Sequence, residues 1–326
     1  MKLFQKTVKF ILPLLFGIGI IWFMIDKIDL NAVMEVLSRG ISWTWVFISL
    51  VFALLSHIIR AVRWRMQIRT LGVNPTLHDM CISVFGNYGL NLVFPRLGEV
   101  WRCNYIAHGY SLSFSTAVGT MISERIADMV IALLMMVMAF ALEHDVFIDF
   151  FATHGIAGSN IVKLVASPWL WAGLFLVILV FFLSRHFFRQ NRIYQYLSRL
   201  GHNLWAGVLS IKTLKNPWLF VLWSILLWGA YYLNTYTQLL FFDFTSHLSP
   251  AAGLAVFVMG SLSLLVPVQG GLGAWHAVVI FTLTCYGIPE AEAFSFALVS
   301  WAVEQGFVLM LGIYAMIVVA LKKNKI

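Results

Sequence analysis

Seven ionisable residues fall within or beside otherwise apolar stretches: Arg96, Glu99, Arg102, Glu124, Arg125, Asp128 and Glu304. Six of them belong to two short clusters, Pro-Arg-Leu-Gly-Glu-Val-Trp-Arg at 95–102 and Glu-Arg-Ile-Ala-Asp at 124–128. On a helix Glu124 and Asp128 share a face, Arg125 lies three residues before Asp128, and Glu99 stands in the same relation to Arg102. The planar fork of arginine matches pairs of phosphate oxygens, and neighbouring carboxylates fix its orientation. Helices beginning at Gly98 and Gly273 would add backbone N–H donors aimed at the same anion. The combination is a positive, partly compensated pocket for a phosphate-bearing headgroup. An alternative is that the charges neutralise one another and merely pin two helices together. A third reading makes Glu99, Glu124 or Asp128 a general base on a lipid, which requires a second substrate site that no motif marks.

Several uncharged or singly placed residues extend the set. Asn87 and Asn91, four apart, lead into Pro95 and suit interhelical hydrogen bonding or substrate contact. Gln269 stands at a second Pro/Gly break as a headgroup ligand or a backbone cap. His276 suits a proton relay, a headgroup contact or a bond to a backbone carbonyl. Glu304 balances charge or carries protons. His144 and His154 lack ligand spacing, so no metal is expected. No G-x-x-x-x-G-K-[ST] occurs, and no cofactor or ATP-driven step is expected.

The elements that must hold these residues are membrane helices. The chain has 326 residues, of which 61% are apolar and only 11% charged, against roughly 25% charged in soluble domains. The mean hydropathy is +0.87. A soluble enzyme, a disulfide scaffold and a disordered tail are excluded. Cys81, Cys103 and Cys285 are odd in number and lack a C-x-x-C spacing, so no disulfide or zinc site is expected.

Spans need about 20 apolar residues. Six segments qualify: 8–25, 43–63, 115–142, 167–184, 217–242 and 293–320. The first follows Lys2, Lys6 and Lys9 without a cleavage site and reads as an uncleaved span. Two further stretches break at Pro/Gly clusters: 78–94 before Pro95 and Gly98, continuing at 99–112, and 251–266 before Pro267, Gly270, Gly271 and Gly273, continuing at 273–287. Each has the pattern of a re-entrant or broken helical hairpin.

The expected fold is thus an all-α polytopic membrane protein with six full spans and two hairpins, a single integral membrane domain over 1–326. The order span, span, hairpin, span occurs in 1–142 and again in 167–320, joined by an outer loop at 143–166. Leu92-Val93-Phe94-Pro95 with Gly98 and Trp101 parallels Leu264-Leu265-Val266-Pro267 with Gly273 and Trp275. The two copies would be inverted, as in many transporters. With the N-terminus in the cytoplasm, most of the 22 basic residues fall inside and most of the 14 acids outside, so both termini are expected at the cytoplasmic face of an inner membrane. In that count Arg60, Arg63, Arg65 and Arg69 attract anionic headgroups at the cytoplasmic surface. The basic stretch 185–216 reads as an interfacial helix rather than a nucleic-acid site.

The region from Asn87 to Asp128, with its P-R-L-G-E-x-x-R core, the Gly-Tyr-Ser turn at 109–111 and the E-R-x-x-D helix, resembles the lysylphosphatidylglycerol synthetase/flippase transmembrane-region family. Pro267, the glycines at 270, 271, 273 and 287, and the last span extend the resemblance over essentially the whole chain. It implies a flippase-like domain that moves an anionic, phospho- or polyprenyl-linked lipid. Arg96, Glu99, Arg102, Glu124, Arg125 and Asp128 are the matching motif positions. Family members often carry an arginine in the last span, where this chain has Glu304, so the preference for aminoacylated lipids does not carry over. The chain stops at Ile326, and the soluble synthase domain is not expected. The implied partner is an anionic membrane lipid, with a separate lipid-modifying enzyme as a further possibility and a non-transporting scaffold as the remaining reading.

Overall fold

A computed structural model describes residues 40–94, 96–144, 214–263 and 268–323, together with isolated positions 34, 35, 38 and 146. The expected spans 8–25 and 167–184, most of the outer loop and nearly all of the 185–216 segment lie outside the described residues, as do Pro95 and Pro267. The described residues are α-helical apart from short connections and contain no strand.

Among the described residues four helices are long and apolar enough to cross a membrane: α1 (Trp43–Arg69), α4 (Phe114–Leu142), α5 (Pro217–Leu239) and α9 (Glu290–Lys323). Between the first two lie α2 (Leu77–Val93) and α3 (Leu97–Gly109). Between the last two lie α6 (Asp243–Ser246), α7 (Pro250–Ser263), a 3-10 turn at Gln269–Gly271, and α8 (Ala274–Cys285). The order long helix, hairpin, long helix therefore occurs twice.

Local sequence sets the boundaries. Thr76 and Ser113 cap α2 and α4 by accepting from the backbone N–H of Asp79 and Thr116. Asn216 caps α5 and Pro217 fills its first position, where a missing N–H costs nothing. Phe94, which precedes Pro95, is extended, as the proline ring demands. Arg96 then adopts a left-handed φ of 64°, which reverses the chain into α3. The hairpin closes where Gly86 lies under the ring of Trp101 and Gly98 lies against the carbonyl of Asn87. A Cβ at Gly98 would sit 1.9 Å from that oxygen, so only glycine fits. In the second hairpin Gly260 similarly receives Trp275.

Two apolar cores hold the hairpins. Ala61, Trp64, Ile68, Met80, Val84, Cys103, Ile106 and Ala117 join α2 and α3 to the C-terminal half of α1 and the start of α4. Val46, Leu239, Val256, Val279, Leu283 and Phe296 join α7 and α8 to the N-terminal half of α1 and to α9. The opposite faces of the long helices expose apolar stripes, such as Trp43, Phe47, Val51 and Leu55 on α1 and Met129, Leu133 and Val137 on α4. Stripes of that length belong against lipid.

One expectation is corrected by the extent of α1. It continues six residues beyond 63, through Arg69, and turns Arg60 and Arg63 into the protein, 4% and 0% exposed. Arg65 instead donates to the carbonyl of Pro75 and Arg69 to Asn74, bracing the loop after α1. Arg60 and Arg63 are therefore not part of a headgroup-attracting rim, whereas Arg69 stays exposed.

At one end of the molecule Asp79 ties α2 to the last turn of α9. It pairs with Lys322 and accepts from Tyr105, Tyr110 and Thr76. Partial burial alone would raise its pKa, but the hydrogen bonds from Lys322, Tyr110 and Thr76 outweigh it and hold the carboxyl at about 2, below its ordinary 3.8. The same helix pair meets at Gly89 and Gly312, where a Cβ on either would lie 2.5–2.6 Å from the other's Cα.

Two outcomes follow in thermal melts of the detergent-solubilised protein. Gly89→Ala and Gly312→Ala should each cost about 1–3 kcal/mol by overpacking, whereas Gly229→Ala, with open space around it, should be neutral. Because its folded pKa is depressed, Asp79 should stabilise fully above pH 3.8, and the advantage over Asp79→Asn should fade as pH falls towards 2.

Candidate functional site

Polar residues recur on the apolar helices at helical spacing. Ser49, Ser56, Arg63 and Gln67 face inward on α1, and Ser224, Asn234 and Gln238 do so on α5. These two helices make the most extensive helix–helix contact among the described residues. Their inner faces meet the acids of α4.

Glu124 is fully buried and surrounded by arginines. Its Oε1 lies 3.0 Å from Arg63 Nη2 and 3.5 Å from Arg60 Nη1, and its Oε2 accepts from Arg102 Nη2 at 2.9 Å. Asp128, one turn on, pairs with Arg63 at 2.6 Å and Arg60 at 3.4 Å and accepts from Trp228 Nε1. Ser224 accepts from Arg63, Tyr231 accepts from Arg60, and the ring of Trp64 lies 4.6 Å from the Arg102 guanidinium. Three arginines thus face two carboxylates, an excess of one positive charge in a buried cluster.

The ion pairs run between helices rather than between near neighbours in sequence, and Glu124 neutralises Arg102 as the alternative reading of the charges has it. Glu99 does not pair with Arg102, nor Arg125 with Asp128; both pairs reach across between α3 and α4. Arg102 turns into the core towards Glu124, and Glu99 pairs with Arg125 on the outer side of the same helices, where Arg125 is 42% exposed. Helix packing decides which side chains meet, and here it separates residues three apart in sequence.

Arg96 stands apart. It is exposed, makes no ion pair among the described residues, and has the left-handed backbone that an arginine adopts only under constraint. The N–H groups beside it are less available than expected. Leu97 N–H bonds to Phe94 O and Gly98 N–H to Asn91 Oδ1 at 2.8 Å, so the start of α3 offers fewer free donors to an anion. Asn91 thereby closes the hairpin tip. Ala274 N–H likewise bonds to Leu272 O at the start of α8, next to Gly273.

The tips of the two hairpins meet around a cavity of about 750 Å³. Arg60, Arg96, Glu99, Arg125 and Asp128 line one part of it. Asn234, Gln238, Trp301, Glu304 and Gln305 line another, with Gly270 and Gly271 from the second tip. Glu304 Oε2 accepts from Asn234 at 3.0 Å and Gln238 at 3.4 Å and has no cationic partner among the described residues. Gly270 packs on Gln305 and Leu92 and accepts from Trp301 through its carbonyl, which joins the second tip to α9 and α2.

The cavity therefore brings together Asn87, Arg96, Glu99, Arg125, Asp128, Glu304 and the glycines at 270 and 271. Arg102 and Glu124 stand behind its wall. Among the described residues His276 has no carbonyl partner; it is buried beside the rings of Trp275 and Trp301, 5.6 and 5.3 Å away by centroid, and is not part of the cavity lining. The side chain of Gln269 lies outside the described residues. Sequence reasoning did not place Arg63, Tyr88, Trp228 or Tyr231 in the site and left Arg60 at the surface. The seven-residue spacing of Ser49, Ser56 and Arg63, and of Ser224, Tyr231 and Gln238, is the signal that marks those faces as inward.

The family described as the lysylphosphatidylglycerol synthase TM region matches residues 10–312, and the chain belongs to it. Neither curated proteins nor solved structures give a match.

The cluster predicts an ordering of variants. Glu124→Ala, which leaves three buried arginines facing one acid, should cost about 3–5 kcal/mol or prevent folding. Glu99→Gln, at the more exposed pair, should cost less than about 1 kcal/mol. Thermal unfolding in detergent reads both, and equal costs would contradict the arrangement.

Proposed function

We propose that the chain moves an anionic lipid headgroup across an inner membrane, the headgroup passing through the cavity between the hairpin tips while its tails remain in lipid. The observation that carries this reading is Arg96. Among the described residues it is a cation without an acidic partner, held at a hairpin tip on the wall of a cavity shared by both hairpins. Arg60 and Arg125 add positive charge on the same side, and the carboxylates around them hold the guanidinium groups in place. The lipid-facing stripes and the cavity volume suit a substrate that is part polar and part apolar.

The two halves, α1 to α4 and α5 to α9, act in this reading as inverted repeats that expose the cavity alternately to either side. Both termini lie in the cytoplasm, on the strength of the basic residues near them. The family supports a lipid-related transport role and names no substrate for this chain. A lipid-modifying reaction is less well supported, since Glu99, Glu124 and Asp128 each hold an arginine and offer no free general base.

Reconstitution into liposomes containing a fluorescent anionic phospholipid tests the reading. The protein should speed loss of inner-leaflet protection against a membrane-impermeant quencher. Arg96→Ala should slow that step about tenfold or more, the scale of one lost charge-assisted contact, without changing the melting temperature. A rate equal to that of protein-free liposomes would contradict transport.

A further inference from the structure

The acids in and behind the cavity wall are of two kinds. Glu99 pairs with Arg125, and Glu124 and Asp128 are held between arginines, so each of these three carries its charge against a cation. Glu304 is held by amides instead. Its Oε2 accepts from Asn234 at 3.0 Å and from Gln238 at 3.4 Å, and among the described residues no bond reaches Oε1 and no cation pairs with either oxygen. A carboxylate at membrane depth without a countercharge is costly to ionise, and proton exchange is the usual use of such a group. The amide donors tolerate both of its states, since a proton can sit on Oε1 while Oε2 goes on accepting. Glu304 lines the cavity and keeps part of its surface accessible, so a proton can reach it from there.

The other titratable groups facing this place are committed. On α1, Arg60 pairs with Asp128 and Glu124, and both ring nitrogens of His57 are sealed away. A proton on His57 would also be repelled by the guanidinium of Arg60, three residues on along the helix. On α2 and α5, Tyr88 and Tyr231 are joined by a hydrogen bond of 3.2 Å, and a phenol keeps its proton at neutral pH. His276 of α8 is buried and outside the cavity lining. Arg96 and Arg125, across the cavity, stay cationic throughout. Among the described residues, Glu304 is thus the cavity group free to change its charge.

Its position makes that change matter to an anion. Asn234, which donates to Glu304, is three residues from Tyr231, which accepts from Arg60, a rise of about 4.5 Å along α5. A phosphate at Arg60 or Arg96 and an ionised Glu304 would be two anions in one cavity of about 750 Å³, where like charges are poorly screened. A proton on Glu304 removes the repulsion, so headgroup and proton favour each other's entry.

We propose that Glu304 is the proton-binding site of a coupled cycle, one proton crossing with each singly charged headgroup, a step that rests on the anionic-headgroup reading above and names what drives it. A proton from water on one side binds a carboxylate oxygen of Glu304 as the headgroup enters. The loaded cavity opens to the other side, where the proton returns to water and the headgroup departs. The charges of headgroup and proton cancel, and the proton gradient drives the lipid towards the alkaline side.

The final distribution of a fluorescent phosphatidylglycerol between the leaflets of proteoliposomes tests this. Equal potassium on both sides with valinomycin leaves the pH difference as the one driving force. With the lumen one pH unit more alkaline, the wild-type chain should raise the inner-to-outer ratio of the probe above one, towards about tenfold, the limit for one proton per headgroup. Nigericin should return it to one. Glu304→Gln keeps an acceptor for the two amides but takes up no proton, and should give a ratio near one with or without the gradient, whatever its rate. Should that variant not fold, the wild-type series decides alone. A wild-type ratio of one under the gradient, reached faster than in protein-free liposomes, would overturn the coupling and leave headgroup transport intact. A gradient response retained by Glu304→Gln would overturn the assignment to this residue. Redistribution no faster than in protein-free liposomes would overturn both readings.

Discussion

The burial of Glu124 constrains everything around it. A carboxylate removed from water is tolerated only with compensating charge, and compensation here draws one arginine from α3 and two from α1. Each of these partners comes from a different direction, so the three helices are fixed relative to one another around a single side chain. Asp128 repeats the pattern one turn further on and brings in Trp228 of α5. Such a cluster adds little net stability over an apolar core of the same volume. Its effect is registry, because only one alignment of α1, α3, α4 and α5 satisfies every member.

That registry places the first hairpin. With Arg102 anchored inside, the start of α3 stands where Glu99 meets Arg125 and where Arg96 turns outward at the tip. The second hairpin reaches the same place by different means: glycines at 270, 271 and 273 give a tip without bulk, and a hydrogen bond from Trp301 to the Gly270 carbonyl and packing on Gln305 set it against α9. One tip is charged and the other is largely backbone. The cavity between them inherits this difference, with cations on one side and amides, Glu304 and indole rings on the other.

Much of this was legible in the sequence for specific reasons. The long helices among the described residues announce themselves by apolar length, and the chain reversals at Arg96 and Gly270 by the Pro/Gly clusters beside them in the sequence. Helix starts shifted by one residue where caps, rather than hydropathy, decide them; Thr76 and Ser113 are examples. The partners of the charges were legible only in part: neutralisation of Arg102 by the acids at 124–128 was one of the readings, and Glu124 fulfils it, whereas the pairing of Glu99 with Arg125 depends on tertiary packing that spacing along one helix does not reveal. Arg60 and Arg63 were assigned to the cytoplasmic rim because counting charges at span ends cannot distinguish an arginine facing lipid headgroups from one facing the core. The polar residues at seven-residue spacing on α1 and α5 held that information.

The central claim is that the cavity between the hairpin tips receives a headgroup whose phosphate lies against the first hairpin. Cryo-electron microscopy of the protein in nanodiscs of phosphatidylinositol tests this most directly. The account predicts phosphate density within hydrogen-bonding distance, about 3 Å, of Arg96 or Arg60. A map in which lipid tails fill the cavity, or in which every headgroup stays at the outer rim of the helices, would contradict it.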